Sequence, residues 1–241
     1  MAEILDSIPD RKKLERKIAR LLGKYNQRQL EKLLKLMGNS PSLAKIPPSF
    51  WTDSQLQLAA ELIPFSEAVY LASANRLLET VPIGVDWALV NQDAVDWASR
   101  YVGQLVKDIS KSTERAVGRA VSNFFAEEQT IGDLEKRLAR MKDKFGVAFG
   151  PQRAEMIAVT EITRAATQGE LGVAARLKAE GIEMRKVWQT NKDDLVCPIC
   201  EPLQSKEEQD WRAVAPDGPP AHPRCRCGLS LLLPKPEKPN D

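Results

Sequence analysis

Apolar residues recur at helical spacing over the first three quarters of the chain. Leu14, Ile18, Leu21, Leu22, Tyr25, Leu33 and Leu36 share one stripe, so the segment from Pro9-Asp10 to Gly38-Asn39 predicts an amphipathic helix with Gly23 as a point of bending. NSPSLAKIPPSF follows with three prolines and predicts a linker or an extended arm. From Thr52-Asp53 a second long helical pattern runs to about Val81, with a kink at Pro64, until VPIGV interrupts it. Val95, Tyr101, Val102, Leu105, Ile109, Val117, Val121 and Phe124 then describe one long helix or a broken pair. Thr130 with Asp133 reads as a capping box opening a helix through DLEKRLARMKDKF, which ends at Gly146. Gly150-Pro151 starts a further helix that Gly181 stops.

The period changes after Gly181. MRKVWQT alternates and is rich in strand formers, and GLSLLLP further on is a second strand able to pair with it. Between them lies a loop of Pro, Gly and charged residues, and PKPEKPND at the end reads as disordered. The fold class expected is mainly α: long helices followed by a small C-terminal β element organised around a CxxC…HxxCxC zinc knuckle. The expected organisation is a basic N-terminal helix and Pro-rich linker over 1–48, a helical body over 49–183, a zinc-stabilised β module over 184–234 and a disordered tail over 235–241. No internal repeat is visible.

Composition adds little until charge is mapped along the chain. The 241 residues are 43% hydrophobic and 28% charged, with a mean hydropathy of -0.35, as in a globular protein with a real core. No apolar run approaches the roughly 20 residues that span a bilayer. The first residues, MAEILDSIPDRKKLERK, have no apolar core of a secretory signal, which predicts a protein kept in a cytoplasm. The formal net charge is only +2, yet residues 11–35 hold ten Lys/Arg against two acids. Arg11, Lys12, Lys13, Arg16, Lys17, Arg20, Lys24 and Arg28 are therefore candidate contacts to a polyanion or an acidic protein surface. Tyr25 is the lone aromatic among them, which argues against a single-strand stacking platform.

All four cysteines and the one histidine fall in a single stretch: Cys197, Cys200, His222, Cys225 and Cys227. Thiolates and imidazole are the donors that a tetrahedral Zn2+ takes, and C-x2-C places two sulfurs on one side of an ion. Five donors compete for four positions, with Cys197, Cys200 and His222 joined by one of Cys225 and Cys227. A thioredoxin-like CPIC belongs at the start of a helix after a central strand, which this pattern lacks. Structural disulfides belong to exported proteins, and nothing here points to export. A catalytic zinc needs an open position and a fixed carboxylate base, whereas Glu201, Glu207, Glu208 and Asp210 lie in a hydrophilic loop. Structural Zn2+ is the cofactor expected, closing a loop that cannot bury itself.

With His222 so placed, no histidine remains for a Ser-His-Asp triad, and no Gly-rich phosphate loop is present. No enzyme is expected.

RAEMIAVTEITRAATQGE, then EGIEMRKVWQTNKDDLVCPIC, then PPAHPRCRC, follow one another in an order that resembles the phage head morphogenesis proteins related to bacteriophage Mu protein F, also called minor head or minor capsid proteins. The family's W-x-T-x-x-D-x-x-x-C-x-x-C and H-P-x-C-R-C elements correspond to Trp188, Thr190, Asp193, Cys197, Cys200, His222, Pro223, Cys225, Arg226 and Cys227. The resemblance covers residues 95–233. It departs at Ala158-Val159-Thr160-Glu161, where the family's A-R-T-E arginine is missing; Arg164 stands one turn on.

The resemblance implies a virion component, added during prohead assembly near the portal vertex, in the cytoplasm of an infected bacterium and then in the phage head, encoded by a phage or prophage. Its implied partners are the portal protein, the capsid interior and double-stranded DNA, with no membrane and no small-molecule substrate. On the same resemblance Trp188 packs the first strand on the helices, and Thr190 and Asp193 shape the turn into the first knuckle. Glu161 pairs with Arg226 or Arg164, or stands as a solvated acid. The alternative from another class is a zinc-containing nucleic-acid-binding protein acting through its basic helix. A two-Cys, two-His finger is excluded for want of a second histidine.

Overall fold

The computed structural model describes residues 10–80, 86–127, 130–140, 142–143, 146–191 and 196–233. The chain runs through α1 (Arg11–Met37), α2 (Pro48–Thr80), α3 (Trp87–Ala126), α4 (Ile131–Arg140), a two-residue ladder of β1 (Lys142–Asp143) and β2 (Gly146–Val147), and α5 (Pro151–Ala179). The C-terminal stretch holds β3 (Arg185–Gln189), the one-turn helix α6 (Glu208–Trp211) and β4 (Gly228–Leu232). The protein is thus mainly helical with a small C-terminal antiparallel sheet. Among the described residues no helix is long and apolar enough to cross a membrane.

Two compact units divide the chain, and α2, α3 and α5 each contribute to both. The helical unit gathers residues 12–65 and 98–158; the cysteine unit gathers residues 10–11, 66–97 and 159–233. The border in α2 falls directly after Phe65, beside Pro64, which sits inside a helix that continues to Thr80.

In the helical unit the apolar stripe of α1 forms as its spacing predicts. Ile18, Leu22, Tyr25, Leu33 and Met37 are buried, and α1 continues through Gly23 as one helix. It ends where Gly38 takes the left-handed conformation (φ +56°) that glycine adopts without a Cβ clash. The expected linker is packed instead: Ser42 caps a short 3-10 turn at Leu43–Lys45, and Ile46 and Phe50 enter the core with Leu33 and Met37. Three prolines remove backbone donors without preventing burial of the apolar residues between them. Residues 91–126 form a single helix with 87–90, so the broken-pair alternative falls away.

Thr130 and Asp133 make the capping box. Thr130 Oγ1 donates to Asp133 Oδ2 (2.6 Å), and the Asp133 amide donates back to Thr130 Oγ1 (3.2 Å). That bond from Thr130 holds the Asp133 carboxyl below its usual range. The helix it opens buries Leu134 and Leu138 but stops at Arg140 rather than near Gly146. The chain turns back through the β1–β2 ladder and delivers the Ala148 carbonyl to the buried Arg153 guanidinium (2.6 Å). A helix continued past Arg140 would carry that carbonyl away. Arg153 also reaches Thr113 Oγ1 (3.2 Å), an internal anchor that charge alone had not suggested.

α5 opens with Pro151 in the helical unit; in the cysteine unit it closes at Gly181 (φ +86°), where the Ile182 amide donates to Leu177 O and the Gly181 amide to Lys178 O. Gly169 and Gly172 let α2 approach: a Cβ on Gly169 would lie 2.2 Å from Tyr70 O. Tyr70, Leu77, Val90, Val173, Leu177 and Met184 form the core there, and Arg176 grips Asp93 with two bonds of 2.8 and 2.7 Å. β3 and β4 pair antiparallel in the register Trp188↔Leu229, as the alternation predicts.

Candidate metal centre

β3 supplies the floor of the site. Trp188 is fully buried and packs on Trp211 with ring centroids 6.0 Å apart, a pair that carries much of this small core. Trp211 is delivered by α6, and its Nε1 donates to Lys186 O (3.3 Å). The loop after the first cysteines returns along the outer side of β3: Trp188 N donates to Lys206 O (2.8 Å) and Ser205 N to Trp188 O (2.9 Å). Thr190 closes this loop, its amide and hydroxyl both donating to Gln204 Oε1 (2.7 and 2.5 Å). The structure thus places Thr190 against Gln204. Asp193 lies outside the described residues.

Above this floor stand two reverse turns, Cys197-Pro-Ile-Cys200 and His222-Pro-Arg-Cys225. α5 fixes the second. The Thr163 hydroxyl donates to Cys225 O (2.8 Å), and Thr160 Oγ1 accepts the Arg224 amide (2.9 Å) where Arg224 adopts φ 65°. Thr160 stood in the sequence only as part of the Ala158–Glu161 element and Thr163 was not singled out, because the signal is a contact across more than 60 residues of chain. Glu161, beside them, is half-buried.

The turns bring the donors together. Cys197 Sγ lies 3.0 Å and Cys200 Sγ 3.2 Å from His222 Nε2, and Cys200 Sγ lies 3.8 Å from Cys225 Sγ. Two groups result, Cys197–Cys200–His222 and Cys200–Cys225–Cys227, with Cys200 common to both. Cys200, Cys225 and Cys227 are buried, and Cys197 and His222 are half-buried. No two cysteines are joined in a disulfide among the described residues.

The local chemistry fits a metal. His222 Nδ1 lies 2.8 Å from Pro223 O, and a proton placed there leaves the Nε2 lone pair facing the sulfurs. Hydrogen bonding from Cys200, reinforced by Cys227, pushes the Cys225 thiol far below the ordinary thiol range, while its bond to Cys225 pushes Cys200 up. Crowded sulfurs thus favour at least one thiolate, the form that binds metals. The five donors, together with Asn191, Val196, Arg224 and Arg226, line a space of about 30 Å³. Both donor groups are able to hold a metal ion.

The candidate basic contacts lie on α1. Lys12, Arg16, Arg20, Lys24, Arg28 and Lys32 stand at every fourth position, and all six are exposed. Lys13 is exposed alongside them. Several of the predicted contact residues are engaged within their own units. Arg11 is half-buried and donates to Thr163 Oγ1, Arg28 pairs with Glu61 (3.2 Å), and Lys17 lies 5.0 Å from the centre of the Phe65 ring.

A helical protein whose C-terminal sheet carries a Cys/His cluster on paired turns is a class by architecture alone. Residues 111–230, from the middle of α3 into β4, match the family model described as Phage Mu protein F like protein, and this stretch includes all five donors. The chain belongs to this phage Mu F-like family, which supports a role in phage head morphogenesis. No curated protein and no solved structure shows a significant match to the chain.

Proposed function

We propose that the protein is a minor head protein that acts during prohead assembly near the portal vertex, as a structural component rather than a catalyst. One observation carries this reading: the family match spans the part of the chain in which α5, the sheet and the paired turns converge. In this reading the partners are the portal protein and the capsid interior, first in the infected bacterium and then in the virion. The module over 184–234 is held by a structural Zn2+, and the donor set of thiolates and imidazole supports zinc over hard cations. Bound there, zinc would supply folding energy by tying the Cys197 turn to the His222 turn. Co-expression with portal and capsid proteins tests the assembly role. The chain is expected to co-purify with the portal and to be found in proheads, and its absence from both would end the proposal.

A second reading concerns α1. Like charges four residues apart on a helix repel by about 0.2–0.5 kcal/mol per pair, and α1 holds such a row from Lys12 to Lys32. A ridge of this kind supports contact with double-stranded DNA. Titration at several salt concentrations is expected to show an affinity that falls with a log–log slope of about −0.9 per phosphate contacted. Weak binding with a flat slope would favour docking on an acidic protein surface instead. If DNA binding proved strong while portal association was absent, the nucleic-acid-binding alternative would replace the assembly role.

A further inference from the structure

The second donor turn is tied to α5, and α5 in turn to the start of the described chain. Cys197-Pro-Ile-Cys200 closes on itself, with the Cys200 and Glu201 amides both donating to Cys197 O (3.0 and 2.9 Å). His222-Pro-Arg-Cys225 closes in the same way, Cys225 N on His222 O (3.1 Å), but it is also bonded to Thr160 and Thr163 of the helix. The Thr163 hydroxyl has one proton and two carbonyls within reach: Val159 O on its own helix (3.1 Å) and Cys225 O on the turn (2.8 Å). A helical threonine left alone bonds back to the carbonyl one turn earlier. Here Arg11, 152 residues away in sequence, donates to the same Thr163 oxygen. A guanidinium on that oxygen polarises the hydroxyl and strengthens the bond it donates. We propose that Arg11 is a positioning residue of the metal centre: through Thr163 it holds the Cys225 carbonyl, and with it the second donor turn, where an ion needs it. This rests on the metal reading proposed above.

Burial sets Arg11 apart from the cations that follow it. It is half-buried, whereas Lys12, Lys13, Arg16 and Arg20 are exposed, and it shares the cysteine unit with Thr163 and Cys225. The first cation of the basic run therefore serves the donor turn, and the exposed ridge begins at Lys12. Charge and position act in opposite directions here. As a bare positive charge Arg11 repels a cation, so its removal would tighten binding. As a hydrogen-bond donor it holds a turn that carries donors, so its removal loosens binding. Groups just outside a metal's ligands that orient them typically change its affinity ten- to a hundredfold. The hydroxyl of Thr163 is such a group, and Arg11 stands one bond further out.

The full-length chain, titrated with Co2+ under reducing conditions against a competing chelator, reads the metal affinity directly. Thr163→Val is expected to weaken binding about tenfold. Arg11→Ala is expected to weaken it about threefold, the size of one modest hydrogen bond, and Arg11→Lys, which keeps a donor, to lie nearer wild type. In the Thr163→Val chain, Arg11→Ala is expected to change the affinity no further, because the hydroxyl it acts through is gone. In a Thr160→Val chain, which lacks the acceptor of the Arg224 amide, the Arg11→Ala loss is expected in full. Tighter or unchanged binding in Arg11→Ala would overturn the proposal, as would an undiminished loss on the Thr163→Val background. Should Thr163→Val fail to fold, the sign of the Arg11→Ala effect and its recovery in Arg11→Lys still decide. A wild type that binds no ion would instead remove the metal reading itself, and this role with it.

Discussion

The cores of the helical unit and of the knuckle region are built from different material. Leu33, Met37, Ile46, Phe50, Trp51, Val117, Val121, Leu134 and Leu138 close the first with apolar surface from four helices and the segment between α1 and α2. Around the knuckle the buried set is Trp188, Leu203, Trp211, Ala215, Leu229 and three cysteines. The helical core depends on area removed from water, which no change of redox state or metal supply alters. On the metal reading proposed above, the knuckle core depends on what occupies its sulfurs. Two tryptophans supply apolar area, but the two donor-bearing turns beside them meet side chain to side chain.

Removing metal is the strongest way to break this comparison. A chelator under reducing conditions is expected to abolish the near-UV signal of Trp188 and Trp211 while leaving most of the far-UV helical signal. Equal loss of both would show that the two regions share one cooperative fold. The converse test is Leu138→Ala, at a fully buried position on α4. It is expected to cost about 2–5 kcal/mol in denaturant unfolding followed by far-UV signal, with metal stoichiometry unchanged.

A smaller and pH-dependent effect belongs to Glu170 on α5. Its carboxyl accepts the Leu229 amide at the sheet, and Oε2 is buried without a hydrogen-bond partner. Burial pushes its pKa from 4.5 up to about 8, against the opposing fields of Arg76 and Arg11. Because the folded state holds this proton more tightly than the unfolded state, its contribution is complete below about pH 4.5. It is lost as pH rises toward about 8. Glu170→Gln is therefore expected to melt above wild type near pH 9 and to flatten the slope between about pH 5 and pH 9. An unchanged slope in calorimetry would place the titration elsewhere. The smallest effect expected is that of Thr130→Ala, about 1 kcal/mol from loss of the α4 cap, measurable by urea unfolding and silent in the metal assay.

Much of this contrast was legible in the residues. Helical periodicity marked α1, α2, α3 and α5 because one apolar stripe per helix is a local property, and Gly38 and Gly181 marked their stops as expected. The donor cluster was legible because cysteine and histidine occur nowhere else in the chain. What escaped was decided by contacts between distant segments. DLEKRLARMKDKF reads as helix throughout, yet the Arg153 anchor at Ala148 needs the chain to turn at Arg140. Arg11 reads as one more exposed cation, and only the fold shows Thr163 within its reach. Ile46 and Phe50 sit among prolines that predict an arm, and burial outweighs that local signal.

Thr160 and Thr163 hold the second knuckle, while Gly169 and Gly172, six to twelve residues further along the same helix, admit Tyr70. One rod is thus keyed at two points. An inserted residue between Thr163 and Gly169 would swing one key about 100° past the other, so no single placement of the rod could satisfy both. Related chains are accordingly expected to conserve spacing here more strictly than residue identity, and to vary in length at the exposed Arg212–Val214 bend instead.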